Sequence, residues 1–295
     1  MLRKRRFEEE NYQAIFNDGI TLRFAIDPSK PILPLRYPEI EDVAINSKCF
    51  ANCNYCYVSA LKSGINFDNI VEKIQDHYGN LILNERPFQI ALGGAGEPTL
   101  HPDFPEVLKT MHELQIMPNY TTNAMHLSKK VVDATKLYSG GVAISCHPHL
   151  EKIWRKGIDT LTNAGIKTCL HIILGEPGSN DNFWKIYSTT KNIHYYVVLP
   201  YMAVGRAKQI DVEKEWDLFF EEALIRKPND ISFGALFYDY FLKNREIMNK
   251  INLSIYEPEV LSGYRIMDNS YKLLRKSSYD LSPKFTDGSQ LDFNT

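Results

Sequence analysis

The chain has 295 residues, 44% of them hydrophobic and 24% charged, with 34 Lys and Arg against 36 Asp and Glu. That balance describes a globular protein large enough for one sizeable core, and its net charge of −2 argues against a grip on long nucleic acid. No apolar run approaches a membrane span, no secretory signal is visible, and five cysteines are an odd count that makes a poor disulfide framework. With three of them in one loop, a reducing compartment, the cytoplasm, is expected.

The predicted elements begin with a basic cluster, Arg3 to Arg6, followed at once by Glu8, Glu9 and Glu10, which reads as a solvated N-terminal stretch. Tyr12–Phe16 and Ile20–Ile26 are β-rich runs around Asn17-Asp18-Gly19, a hairpin signal. A connector with Pro28, Pro31, Pro34 and Pro38 follows and reads as extended chain.

From about residue 42 strands and helices alternate. Val43–Ile45 is strand-like, and Phe67, Ile70, Ile74 and Tyr78 recur at helical spacing. Phe88–Leu92 is a strand, and Phe104, Val107, Leu108, Met111 and Leu114 mark a helix. Asn119–Thr122 is a strand, and Ser128 can cap the next helix. Val142–Cys146 is a strand, and the helix with Ile153, Ile158 and Leu161 stops at Gly165. Lys167–Leu174, a helix with Phe183, Trp184 and Tyr187, and Tyr195–Met202 complete six βα-type units. Trp216–Ile225 predicts another helix and Ile231–Leu236 a seventh strand. Phe237, Tyr238, Tyr240 and Phe241 read as core or a lid, and no internal repeat stands out. This rhythm predicts a parallel α/β sheet, with an open sheet and a full or partial barrel both allowed.

The chemistry concentrates in Cys49-Phe-Ala-Asn-Cys53-Asn-Tyr-Cys56, a C-x3-C-x2-C loop after the first core strand. Three soft thiolates suit an iron–sulfur cluster, and three ligands leave one iron open. Structural zinc would need a remote fourth ligand, since only one C-x2-C pair exists. One strand later comes Gly93-Gly94-Ala95-Gly96-Glu97-Pro98, where glycines let a ligand approach the backbone and a carboxylate follows. Cys146-His147-Pro148-His149 and Cys169-Leu-His171 form a second constellation, read either as a further metal or thiol site or as buried groups lining a pocket.

Together the cysteine loop and the Gly-x-Gly-Glu-Pro turn resemble the radical S-adenosylmethionine (SAM) superfamily, over about Asp42 to Ala207. The resemblance implies an α/β fold, a partial (β/α)6 barrel at residues 41–210. Residues 1–40 would form the N-terminal hairpin and connector, and 211–295 a C-terminal extension covering the barrel mouth. It implies Cys49, Cys53 and Cys56 as ligands of a [4Fe–4S] cluster, and SAM on the open iron. Tyr55 would neighbour the adenine, Gly94, Gly96 and Glu97 would form the amino-group site, and Ser145 would touch the ribose. Gly205-Arg206-Ala207 looks like the segment after the sixth strand in peptide- and protein-modifying members, which makes Arg206 a substrate candidate beside His171. The tail resembles a SPASM or twitch extension without its auxiliary-cluster cysteines.

The implied activity is reductive SAM cleavage and hydrogen abstraction from a substrate, with a peptide or protein side chain favoured. A reductase or a flavodoxin- or ferredoxin-type protein would supply the electron, and neither a membrane nor nucleic acid is expected as a partner. Rival readings are a small-molecule enzyme of nucleoside, sugar or cofactor biosynthesis, a glycyl-radical-enzyme activase, and a non-catalytic iron–sulfur binding or redox protein.

Overall fold

The computed structural model describes residues 1–33, 35–234, 237–244, 246, 264–267 and 273–275. Three strands open the chain, β1 (Leu2–Phe7), β2 (Tyr12–Asn17) and β3 (Ile20–Ala25), paired antiparallel in the order β1-β2-β3. The expected hairpin is therefore the second half of a small sheet, and the basic cluster is a strand rather than a solvated stretch. Alternation explains the difference: Lys4 and Arg6 face outward, while Arg3 and Arg5 are 4% and 1% exposed.

Both buried guanidiniums bond to carbonyl oxygens on the underside of the main sheet. Arg3 donates to Pro87 at 2.6 Å and Gln115 at 2.9 Å; Arg5 donates to Pro38 at 2.9 Å and to Arg86. Burial, with Arg5 alongside, lowers the Arg3 pKa to about 10.

The main sheet starts at β4 (Ile40–Val43). There follow α1 (Ile70–Gly79), β5 (Gln89–Leu92), α2 (Phe104–Glu113), β6 (Met117–Thr122), α3 (Lys129–Tyr138) and β7 (Gly141–Ser145). Then come α4 (Glu151–Asn163), β8 (Thr168–Leu174), α5 (Ser179–Thr189), β9 (Tyr196–Pro200), α6 (Glu213–Arg226) and β10 (Ile231–Phe233). Strands β4 to β10 are all parallel and lie side by side in chain order. These seven strands curl into a partial barrel with helices outside, one unit more than the six strongest sequence units. A short α7 (Tyr238–Lys243) follows, and β11 (Tyr264–Met267) and β12 (Leu273–Arg275) extend the sheet beyond β4. The rest of the expected mouth-covering tail lies outside the described residues.

Strand alternation divides the side chains between two layers. On β8, Leu170, Ile172 and Leu174 are buried against the helices, while Cys169, His171 and Ile173 turn to the concave side. Helix α1 answers with Ile70, Ile74 and Tyr78, and α2 with Phe104, Val107, Leu108 and Met111, all buried. Ser128 caps α3 by accepting from the Val131 N–H at 3.3 Å. The helix α4 ends before Gly165, whose φ is +75°. Phe237, Tyr240 and Phe241 are core, packed with Phe220 of α6 and Phe233 of β10.

Candidate active site

A cavity of about 670 Å³ opens at the carboxyl ends of the parallel strands, walled by the strand ends and the loops that follow them. Cys49, Cys53 and Cys56 line it, together with Tyr55, Gly94, Gly96, Glu97, Ser145 and His171. Arg206 does not.

The cysteine loop is closed at its base by backbone pairing. Ser47 N–H bonds Ile65 O at 2.9 Å, Phe67 N–H bonds Ile45 O at 3.1 Å, and Cys49 N–H bonds Leu61 O at 3.0 Å. Burial pushes the Cys53 thiol up to about 12, with Cys56 and Cys49 adding their repulsion. Burial raises Cys49 as well. Cys49 and Cys53 favour their thiolates only if a positive charge joins them, which iron would supply. Among the described residues no three His, Cys, Asp or Glu side chains are placed to hold a single metal ion. A cluster, by contrast, spreads its ligands over separate irons, and the donor chemistry of the loop fits it.

The Gly-x-Gly-Glu-Pro turn is built against this loop. Gly94 has φ +85° with open space where a Cβ would stand. Gly96 has a different constraint: a Cβ there would lie 2.7 Å from both the N and O of Lys48. Glu97 N–H bonds Lys48 O, and Asn46 Nδ2 donates to Glu97 O, both at 2.8 Å.

The Glu97 carboxylate is 3% exposed. One oxygen accepts from Thr99 N at 3.3 Å, Thr99 Oγ1 at 2.6 Å and Thr122 Oγ1 at 2.7 Å. The other accepts from Asn123 N at 2.8 Å. Burial raises its pKa while these bonds oppose the rise. Glu97 thus ties the ends of β5 and β6 together, and its second oxygen retains accepting capacity toward the cavity.

The Cys146–His149 turn packs on the cysteine loop from the other side. The Tyr55 hydroxyl lies 2.9 Å from His147 Nδ1, and Trp154 Nε1 donates to His147 O at 3.1 Å. Burial, aided by His149, lowers the His147 pKa to about 4. Ser145 and His171 are register partners on β7 and β8, both on the cavity wall. Burial alone lowers the His171 pKa to about 4, so the imidazole is neutral near pH 7. Cys146 lines the cavity but is 5% exposed, and burial raises its pKa. Cys169 does not line the cavity, and burial pushes its thiol up to about 11. Both are neutral thiols at neutral pH.

Arg206 is engaged with the cysteine loop. Its N–H bonds Cys56 O at 3.1 Å, Nε bonds Cys53 O at 3.1 Å, and Nη1 bonds Ala60 O at 2.7 Å. Gly205 has φ +64°, and a Cβ there would crowd the Cys56 carbonyl. The Gly-Arg pair is thus a clamp on the backbone of the cysteine loop.

Glu176 is a cavity residue that the motifs above leave out. Glu176 lines the cavity half-buried, accepts no side-chain hydrogen bond among the described residues, and has its pKa raised by burial. A signal did exist, because Gly175-Glu176-Pro177 repeats the tripeptide Gly96-Glu97-Pro98 at the end of another strand.

Residues 43–189 match the family model of the Radical SAM superfamily. No curated protein matches the chain. The fold is similar to that of Streptococcus suis SuiB bound to its precursor peptide SuiA, with a TM-score of 0.64 at 15% identity. That match covers 88% of this chain and 64% of SuiB, so the chain spans less than two thirds of that relative. The structure of anSMEcpe with AdoMet and a Cp18Cys peptide is similar at TM-score 0.51 and 15% identity, over 68% of this chain and 66% of that one. No described helix is long and apolar enough to cross a membrane.

Proposed function

Because the chain belongs to the radical SAM superfamily, whose members are enzymes that use a [4Fe–4S] cluster and SAM, we propose that it cleaves SAM reductively to abstract hydrogen from a peptide or protein side chain. The observation that carries this reading is the convergence of Cys49, Cys53 and Cys56 with the Gly94–Glu97 turn on one cavity. A pure electron carrier has no use for an amino-acid site beside its cluster. The cluster and SAM supply the radical chemistry; the chain's residues bind, orient and exclude water. Cys49, Cys53 and Cys56 would hold the cluster, and the Gly94 backbone and the open oxygen of Glu97 would receive the SAM amino group. Tyr55 would neighbour the adenine, and Ser145 the ribose. His171, neutral and on the same wall, is a substrate candidate.

The likeness to two structures that hold peptides supports a peptide substrate. Charge narrows the choice further. The described lining residues include three carboxyls, Asp42, Glu97 and Glu176, and no Lys or Arg. A phosphate or a free carboxylate would find no cation there, so a neutral or cationic side chain is the expected guest. Glu176 is the carboxyl free to meet it. A flavodoxin- or ferredoxin-type protein would supply the electron.

The test is anaerobic reconstitution with iron and sulfide, addition of dithionite and SAM, and measurement of 5′-deoxyadenosine. Formation of 5′-deoxyadenosine, with deuterium entering it from a labelled peptide, supports the proposal. A cluster that assembles yet neither binds nor cleaves SAM, with candidate peptides present, would favour the binding or redox reading.

A further inference from the structure

Two side chains outside the cysteine loop reach the sulfur atoms assigned to iron. Asn123, just after β6, donates from Nδ2 to Cys49 Sγ at 3.6 Å. His149, in the turn after β7, places Nε2 3.8 Å from Cys53 Sγ. The same nitrogen lies 2.9 Å from the Ala51 carbonyl oxygen. A carbonyl only accepts, so Nε2 carries the proton and has no lone pair for a metal. His149 is therefore a donor to the loop, its N–H directed at Ala51 O with Cys53 Sγ alongside. It is not the fourth ligand that a zinc site would need.

Both donors are held from behind. Asn123 is fixed by its backbone N–H on Glu97 at 2.8 Å and by its Oδ1, which accepts from Met125 N at 2.9 Å. The His149 turn is pinned by Trp154 on His147 O. Among the described residues no side-chain donor reaches Cys56 Sγ, so the support is confined to two of the three thiolates.

We propose that His149 and Asn123 are redox-tuning residues. Their N–H groups would hold a cluster on Cys49, Cys53 and Cys56 at a less negative potential than the thiolates alone, while leaving the fourth iron free. This rests on the iron–sulfur reading of the loop. Reduction adds negative charge to the cluster and its sulfurs, and an N–H dipole donated to a sulfur, as from Asn123, or lying beside one, as from His149, stabilises that charge. Removing the dipole makes reduction harder. In the test one electron passes from dithionite to the cluster, with no bond made or broken and no proton taken up by His149.

His149→Phe, His149→Gln and Asn123→Ala would be reconstituted beside the wild type. Iron and sulfide are counted, and the cluster is titrated potentiometrically with EPR detection, without SAM. His149→Phe should keep its iron and show about a tenfold lower ratio of reduced to oxidised cluster at the wild-type midpoint. For a one-electron couple that is a shift of about 59 mV to more negative potential. His149→Gln keeps an N–H donor and should recover most of the shift, and Asn123→Ala should move in the same negative direction.

An unchanged potential in His149→Phe, or an equal shift in His149→Gln, overturns the proposal. Should His149→Phe lose its cluster, Asn123→Ala decides, and an unchanged potential there overturns it too. Loss of the cluster from both variants assigns the pair a structural role instead. Hyperfine coupling of the wild-type cluster to an imidazole nitrogen, absent in His149→Phe, would make His149 a ligand and overturn it likewise. A wild-type chain that assembles no four-iron cluster overturns the iron–sulfur reading and this proposal together.

Discussion

Glu97 shows how a motif residue can serve the framework and the site at once. Its carboxylate accepts four hydrogen bonds from three residues, Thr99 beside it and Thr122 and Asn123 at the end of β6. In Glu97→Gln an amide NH2 replaces one acceptor and faces a donor. The expected loss is about 1–3 kcal/mol, measured as a lower urea midpoint. His171 gives a prediction of pH dependence. Its folded pKa, about 4, lies below the unfolded value near 6.5. The unfolded chain therefore binds the proton first, and stability present above pH 6.5 is lost as pH falls toward 4. Between pH 8 and 5 the loss from this group is about 2 kcal/mol. Urea titrations of the wild type and His171→Asn at both pH values should differ by that amount.

The cysteines and the Gly-x-Gly-Glu turn were legible because their spacing is local. The contacts of Asn123 and His149 with the cysteine loop were not, since they span 74 and 96 residues of sequence. Only the sheet brings the ends of β4, β6 and β7 together.

At the scale of elements, periodicity found the parallel strands and the main helices, because each buries one apolar face. It failed at β1, where the buried positions are arginines that a hydropathy pattern assigns to solvent. Arg5 illustrates what such a strand contributes. Arg5→Met should leave the Pro38 carbonyl without its donor and the Arg86 carbonyl with Arg3 alone, and cost about 3 kcal/mol by urea denaturation. The tripeptide Gly-Arg-Ala was also visible, yet its clamp on Cys53, Cys56 and Ala60 was not, because a guanidinium serves a carbonyl as well as a carboxylate. Gly205→Ala should be felt at the cysteine loop, through an unfavourable φ and a crowded Cys56 carbonyl. Its expected readout is iron retained after gel filtration, lower than in the wild type.

For the whole molecule, the partial barrel gathers the candidate site residues other than Arg206 and His149 around one cavity. Ligand binding there should stabilise the fold by mass action. At SAM near 100 times its Kd the gain is about 2.7 kcal/mol, worth roughly 5 °C in Tm for a chain of this size. Anaerobic differential scanning should show that rise in the cluster-loaded protein and a smaller one in the iron-free protein. An equal rise in both would separate SAM affinity from the cysteines.

Apart from Asn123 on Cys49 Sγ, the grips on the cysteine loop fall on main-chain oxygens: Ala51 takes His149, Cys53 and Cys56 take Arg206, and Ala60 takes it again. None of these bonds asks anything of the sulfurs. The socket is thus held independently of its cargo, so a cluster destroyed by oxygen would leave behind a shaped receptacle. Repair would then amount to refilling, with no refolding step, and apoprotein spared from proteolysis could return to service whenever iron and sulfide are delivered.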